Sequence, residues 1–140
     1  MLIAVDFDGT IVKDEYPAIG KELPFATTTL KTLMNEGHRF ILWTVRRGRL
    51  LDEAVEWCRE RGVEFYAVNQ SFEGEDEKAR EHHYSRKLKV DMFIDDRNVG
   101  GLPAWSTIYD IIHEKKTYEE ILLREAGMPS ARKKKSWWPF

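Results

Sequence analysis

Short apolar runs alternate with amphipathic segments along most of the chain, and this alternation constrains the fold more than any other feature. Fully apolar runs of this length are typical of strands that are covered on both faces. The predicted strands are residues 2–5, 40–43, 63–68 and 90–94. Because strands that alternate with helices form parallel sheets, we expect an α/β fold with a doubly wound parallel sheet.

Apolar side chains at helical spacing predict the intervening helices. Residues 25–36 and 50–61 each carry an apolar stripe, and each segment ends near a glycine, Gly37 or Gly62. A weaker helical signal covers residues 77–88. The sequence therefore predicts a helix in each of the three connections between strands.

The last third of the chain is less regular. Residues 108–112 indicate a short apolar-faced helix or strand. Thr117 and Glu120 resemble a capping box, which predicts a helix that runs toward Ala126.

The length of 140 residues suits one domain, which we place at residues 1–129. Residues 130–140 form a tail that mixes cations with aromatic side chains. The simpler interpretation is a frayed terminus whose aromatic residues pack on the body or on a neighbouring chain. Contact with an anionic partner is the alternative.

Composition excludes several classes of protein. A chain that is 42% hydrophobic, 33% charged and has a net charge of -2 is neither disordered nor suited to bind nucleic acid over its whole surface. The longest apolar run, Met1–Val5, is far too short to span a membrane. The lone Cys58 allows no intramolecular disulfide and fits a reducing environment. We therefore expect a cytoplasmic protein with no membrane partner, and a core position for Cys58.

Four aspartates follow two of the predicted strands. Asp6 and Asp8 come after the first strand, and Asp95 and Asp96 come after the fourth. Parallel sheets place ligands outside the carboxyl ends of their strands, and side chains two residues apart in an extended segment point the same way. Gly9 permits a sharp turn and a close approach of the backbone. These acids are thus candidates for one site.

The order of the motifs resembles the haloacid dehalogenase superfamily of aspartate-nucleophile phosphatases. The first motif of that family appears as Asp-Phe-Asp-Gly-Thr-Ile at residues 6–11. The second, an apolar strand closed by Thr or Ser, matches residues 40–44. The fourth, an apolar strand closed by paired acids, matches residues 92–96. The resemblance implies a phosphatase core that extends over about the first hundred residues.

The third motif of the family is only a Lys or Arg shortly before the fourth. Its candidates here are Arg86, Lys87 and Lys89, of which we favour Lys87. The resemblance implies that Asp6 attacks the phosphorus and that Asp8 acts as general acid and base. It also implies that Thr44 and Lys87 hold the phosphoryl oxygens. For an acid role near neutral pH, we expect the charge of Asp6 to help raise the pKa of Asp8.

Charge balance implies a metal ion. Three ionised aspartates and a phosphate dianion outweigh the single charge of Lys87, and each like-charge pair at about 4 Å costs on the order of 4 kcal/mol. An oxygen-only set of ligands suits Mg²⁺. The resemblance implies the carboxylates of Asp6 and Asp95 and the backbone carbonyl of Asp8 as ligands.

The role of Asp96 has three interpretations. It binds the metal directly, it orients the metal's waters and Lys87, or it is a structural acid that pairs with Lys87 or Arg97. Arg97 and Asn98 themselves follow the paired acids and are either part of the site or solvated.

Three arginines follow Thr44 at the open end of the sheet: Arg46, Arg47 and Arg49. They either bind an anionic substrate, with Arg46 and Arg47 as our candidates, or remain solvated at the start of a helix. His82 and His83 lack metal-ligand partners at suitable spacing, so we place them on the surface.

The lengths between the motifs leave no room for a cap domain, only for a short flap at residues 12–23. An open site favours a bulky phosphorylated substrate or closure by a second subunit of a homo-oligomer. The prediction is thus a Mg²⁺-dependent phosphatase that acts on an unidentified phosphate monoester.

Two other functions compete with this hypothesis. A phosphoryl-accepting signalling module also uses acids, a Thr, a Lys and Mg²⁺, but it lacks a second acid in the position of Asp8. A non-catalytic protein could hold a cation at the acid cluster and bind its partner through the tail at residues 130–140.

Overall fold

The computed structural model describes residues 1–72, 74–75 and 87–128. Within these ranges the strands form one four-stranded sheet in the order β3-β2-β1-β4, and every neighbouring pair is parallel. The strands are β1 (Leu2–Val5), β2 (Arg39–Leu42), β3 (Ala67–Val68) and β4 (Met92–Ile94). The predicted α/β fold with a parallel sheet is confirmed.

Helices connect and follow these strands. The helices in the described part of the chain are α1 (Ala26–Asn35), α2 (Gly48–Glu60), α3 (Trp105–His113) and α4 (Tyr118–Glu125). Gly37 and Gly62 follow α1 and α2 with φ of 97° and 80°, a left-handed conformation that glycine adopts at little cost. The expected stops of both helices are confirmed.

The C-terminal helices follow the sequence pattern closely. The segment that read as either helix or strand is helical, and it forms α3. Thr117 and Glu120 form the predicted capping box at the start of α4, because each side chain accepts a hydrogen bond from the other residue's backbone N–H.

Strand β3 is much shorter than the predicted segment at residues 63–68. Val63 is tied to the end of α2, since its N–H donates to the carbonyl of Cys58 at 2.9 Å. Pairing with β2 begins only at Tyr66, whose N–H donates to the carbonyl of Phe40. The apolar run therefore serves first as a helix stop and only then as a strand.

The core lies mainly on one face of the sheet. Ile3 and Val5 alternate with Ala4 along β1 and pack with side chains of α1, α2 and α3. Cys58 is fully buried in this core, as expected, and burial raises the pKa of its thiol to about 12. On the opposite face, a smaller cluster contains Ala4, Ile41, Ala67 and Leu88.

Several predictions fall outside the described ranges. The helix expected at residues 77–88, which a doubly wound sheet needs on the face of Ala4, is described only at Lys87 and Leu88. The tail at residues 130–140 and the two histidines, His82 and His83, also lie outside. Across the parts of the chain that are described, no helix combines the length and apolar character needed to cross a membrane.

Candidate functional site

The acidic cluster forms where two neighbouring parallel strands end. Val5 of β1 is in register with Ile94 of β4, and the N–H of Asp6 donates to the carbonyl of Ile94 at 3.0 Å. This pairing brings the residues that follow both strands to one edge of the sheet. Carboxylate oxygens of Asp6, Asp95 and Asp96 lie within 4.8 Å of one another.

A tight turn after β1 shapes the floor of the site. Gly9 has a φ of +82°, and its N–H donates to the carbonyl of Val12 at 2.7 Å. A Cβ at this position would lie 2.3 Å from Oδ2 of Asp96, so any side chain would displace that carboxylate. The predicted turn and close approach at Gly9 are both present.

Thr10 links the two halves of the cluster. Its buried hydroxyl lies 3.4 Å from Oδ2 of Asp6 and 3.3 Å from Oδ1 of Asp96, and it accepts a hydrogen bond from the N–H of Asp96. The carbonyl of Thr10 accepts a hydrogen bond from the buried indole of Trp105 at 2.9 Å. Helix α3 thereby supports the turn that carries the first two aspartates.

Crowding of carboxylates affects the protonation of Asp6. Its pKa is raised from 3.8 to about 7, chiefly by burial, and the charges of Asp95 and Asp96 add to the effect. Without a cation, the cluster therefore binds a proton near neutral pH.

Asp8 lies beside this cluster but points to a different partner. Nε and Nη2 of Arg46 donate to its two carboxylate oxygens at 2.7 and 2.8 Å. This bidentate pair is nearly buried, and the hydrogen bond to Asp8 is the largest cause of the raised pKa of Arg46. Asp8 is therefore held by a buried cation, a contact that the sequence did not predict.

The placement of Arg46 corrects the expectation that it binds substrate. Its guanidinium is buried and also donates to the carbonyls of Pro17 and Ala18, at 3.1 and 2.9 Å, and to that of Leu50 at 3.4 Å. A guanidinium so engaged does not face solvent at the site. It instead joins Asp8 to residues 12–23 and to α2.

Residues 12–23, where the sequence predicts a flap, form a loop whose ends are paired with each other. Val12 bridges to Glu22, and the N–H of Lys13 donates to the carbonyl of Lys21 at 2.8 Å. The ends of the flap are thus closed on each other, and its middle is tied to Arg46.

Thr44 follows β2 on the other side of Asp6. Its N–H donates to Oδ1 of Asn69 at 2.8 Å, and its hydroxyl accepts a hydrogen bond from the N–H of Arg46 at 3.1 Å. These contacts fix Thr44 in a turn at the carboxyl end of the sheet, where the sequence places it.

Four of the predicted site residues line a pocket of about 440 Å³, and Asp96 is not among its lining residues. Asp6, Asp8, Thr44 and Asp95 line it together, as the sequence predicts. The remaining lining residues are Asp14, Tyr16, Trp43, Val45 and Arg97.

Among the described residues, the other predicted cations are not part of the lining. Lys87 is exposed, and the N–H of Lys89 donates to the hydroxyl of Ser71, whereas Arg86 lies outside the described ranges. Arg47 is exposed before α2, and Arg49 pairs with a glutamate one turn along that helix. Arg97, for which the sequence left open a place in the site or in solvent, is the cation that lines the pocket among the described residues.

A solved structure described as a conserved protein from Bacteroides thetaiotaomicron is similar to this chain. The two sequences are 61% identical, the match covers 86% of this chain and 96% of that one, and the TM-score is 0.80. The chain belongs to the same family as that protein. Scans against protein-family models and curated proteins give no match.

Sequence reasoning missed three residues that position the site. Thr10 bridges the acids, Asn69 fixes Thr44, and Trp105 supports the turn. Asn69 follows β3 directly, so its place at the carboxyl end of a strand was a usable signal. For Trp105, nothing in the local pattern distinguishes an indole that donates across the domain from one that only fills the core.

Proposed function

We propose that this protein is a Mg²⁺-dependent phosphatase of the haloacid dehalogenase type, which hydrolyses a phosphate monoester through an aspartyl phosphate on Asp6. One observation carries the proposal: carboxylates from two distant parts of the sequence, Asp6 with Asp95 and Asp96, meet within 4.8 Å beside Asp8 and Thr44. An order of motifs that resembles this superfamily leads to the same chemistry.

In the first step, a carboxylate oxygen of Asp6 attacks phosphorus. The new O–P bond forms as the bond from phosphorus to the leaving oxygen breaks, and that oxygen takes a proton from Asp8. In the second step, water attacks the phosphoryl group, Asp8 takes a proton from the water, and the carboxylate of Asp6 leaves. The products are the alcohol and inorganic phosphate.

The pair between Asp8 and Arg46 fits this role as an orienting contact. Two hydrogen bonds to one guanidinium leave the carboxylate of Asp8 a single orientation at the edge of the pocket. Each carboxylate oxygen of Asp8 accepts one hydrogen bond from Arg46 and keeps a second lone pair, which can carry the transferred proton.

The acid cluster suits Mg²⁺, because its donors are all oxygens and its charge is negative. Asp6, Asp95 and the backbone carbonyl of Asp8 would hold the ion, and Asp96 would bind it or orient its waters. The ion would offset the repulsion between the carboxylates and the phosphate and stabilise charge in the transition state.

Thr44 is proposed to donate its hydroxyl to the phosphoryl group. Lys87 remains our choice for the cation of the third motif, and Arg97 is a second candidate because it lines the pocket. We further propose a doubly wound sheet without a cap domain, with residues 12–23 as the flap beside the site.

The test is turnover of a generic aryl phosphate by three samples: the protein with Mg²⁺, the protein with EDTA, and Asp6→Asn with Mg²⁺. We expect activity in the first sample alone. Asp52→Asn is the matched control, because it removes the same charge from an exposed position on α2. Normal activity in Asp6→Asn would exclude Asp6 as the nucleophile.

Two other results would favour the competing functions. A phosphorylated Asp6 that persists for hours would indicate a phosphoryl-accepting signalling module. Mg²⁺ binding with no turnover of any monoester would indicate a cation-dependent binding protein.

A further inference from the structure

Large apolar side chains that remain exposed gather around the pocket of the aspartate cluster. Tyr16, Trp43 and Val45 are 51%, 36% and 87% exposed. All three line the same pocket as Asp6 and Asp95. Single exposed apolar residues are normal on a protein surface, whereas several that line one cavity indicate a surface for a ligand.

Two of these residues are aromatic, and contacts with the rest of the protein fix the backbone of Trp43 and the ring of Tyr16. The N–H of Trp43 donates to the carbonyl of Val5 at 2.9 Å, which ties it to β1. The ring of Tyr16 lies 5.2 Å from the buried guanidinium of Arg46. These contacts account for the position of each residue, yet they leave a substantial part of each one exposed. Because the backbone of Trp43 and the ring of Tyr16 are already positioned, packing on a flat partner costs less entropy than it would on a mobile segment.

The charges of the pocket restrict which other groups a ligand with an aromatic ring can carry. Asp14 and Asp95 line it along with Asp6, and within the described part of the chain Arg97 is the cation among the lining residues. A divalent ion at the cluster and Arg97 do not fully offset the aspartates and one phosphate group, so no positive charge is left for a second anionic group. A leaving group with further negative charge would meet Asp14 as well, so an uncharged leaving group fits better.

We propose that the pocket selects phosphate monoesters whose leaving group carries a flat, uncharged aromatic ring that packs on Trp43 and Tyr16. This inference rests on the proposed phosphatase function. The volume of about 440 Å³ is in the range that holds a small-molecule ligand. Such a ring has two sources, the base of a nucleoside monophosphate or the ring of a simple arylalkyl ester.

The test uses pairs of substrates with matched leaving oxygens, so that the ring is the difference. Adenosine 5′-monophosphate is compared with ribose 5-phosphate, and benzyl phosphate with cyclohexylmethyl phosphate. We expect kcat/KM with Mg²⁺ to favour the aromatic member of at least one pair by roughly tenfold, the usual effect of stacking one ring on an aromatic side chain. The pair with the larger ratio identifies the source of the ring.

Trp43→Leu keeps an apolar side chain and removes the aromatic face. It should therefore reduce the ratio of kcat/KM between the aromatic and the non-aromatic substrate to about threefold or less. Tyr66→Leu is the matched control, since Tyr66 is 43% exposed and lies at the start of the pairing of β3, away from the pocket. This control should leave the ratio unchanged. Melting temperatures near that of the unmodified protein verify that both variants are folded.

The outcomes separate this inference from the function on which it rests. If both members of each pair are hydrolysed at equal kcat/KM, or if Trp43→Leu keeps the full ratio, the inference is wrong and the phosphatase stands. If no ester is hydrolysed, calorimetry with Mg²⁺ and the stable analogue benzylphosphonate decides. If benzylphosphonate binds and Trp43→Leu weakens that binding roughly tenfold, the site for an aromatic ring is supported and the phosphatase function is not. If benzylphosphonate does not bind, both the ring site and the phosphatase function are contradicted.

Discussion

Replacing Asp6 with Asn should stabilise the metal-free protein while it abolishes the proposed activity. Carboxylate oxygens of Asp6, Asp95 and Asp96 lie within 4.8 Å of one another. At that distance two charges repel by about 3.5 kcal/mol at an effective dielectric of about 20, and by about 1 kcal/mol in water. Because the cluster is only part-buried, we expect a gain nearer the lower figure. The predicted gain in free energy of unfolding is about 1 to 2 kcal/mol, or about 3 to 7 °C in melting temperature for a chain of this length.

The gain should depend on pH in a defined direction. The pKa of Asp6 is raised from 3.8 to about 7 in the folded protein, so folding favours its protonated form. Its ionised carboxylate therefore destabilises the fold increasingly as pH rises from about 4 through about 7, and it has no such effect below about 4. Asn at this position does not titrate, and the advantage of Asp6→Asn should grow over the same range.

The assay is thermal unfolding in EDTA at about pH 3.5, below the range in which the charge of Asp6 acts, and at about pH 8.5, above it. At the lower pH, we expect the melting temperatures of the unmodified protein and of Asp6→Asn to agree within about 2 °C. At the higher pH, we expect them to differ by the full predicted gain. Asp52→Asn controls for the loss of one negative charge from the whole molecule. A gain that is equal at the two pH values, or that Asp52→Asn reproduces, would refute the reasoning.

Three further variants test the supports of the site. Gly9→Ala places a Cβ 2.3 Å from a carboxylate oxygen of Asp96 at a φ of +82°, so we expect a loss of about 1–3 kcal/mol in denaturant unfolding and weaker Mg²⁺ binding in calorimetry. Arg46→Ala leaves the carboxylate of Asp8 without its partner and should cost about 3–5 kcal/mol, part of which the added change Asp8→Asn restores; equal losses in the single and double variants would contradict this. Thr117→Ala removes the cap of α4 and should cost about 1 kcal/mol in unfolding without a change in phosphatase rate.

Local patterns predicted most of the fold. The runs at residues 2–5 and 40–43 became the paired central strands because both faces of a central strand are buried, which favours uninterrupted apolar sequence. The run at residues 63–68 was longer than its strand, since Val63 bonds to the end of α2 instead of to the sheet. The apolar character of a segment does not predict which carbonyl accepts the hydrogen bond from each backbone N–H.

The acids of the site were predictable for a related reason. Each follows an apolar strand directly, and adjacent parallel strands bring their carboxyl ends together. Arg46 was not predictable, because an arginine before a helix is normally solvated, and its burial depends on Asp8, 38 residues away in sequence. The bond from Thr10 to Asp96 spans 86 residues, and no local pattern reports such a contact.

The most direct test of the phosphatase account is the position of beryllium fluoride in a crystal grown with Mg²⁺. The account predicts trifluoroberyllate joined to a carboxylate oxygen of Asp6, with Mg²⁺ bound by Asp6 and Asp95 beside it. Beryllium on Asp8, or a metal ion held without any beryllium at Asp6, would contradict the assignment of Asp6 as the residue that accepts the phosphoryl group.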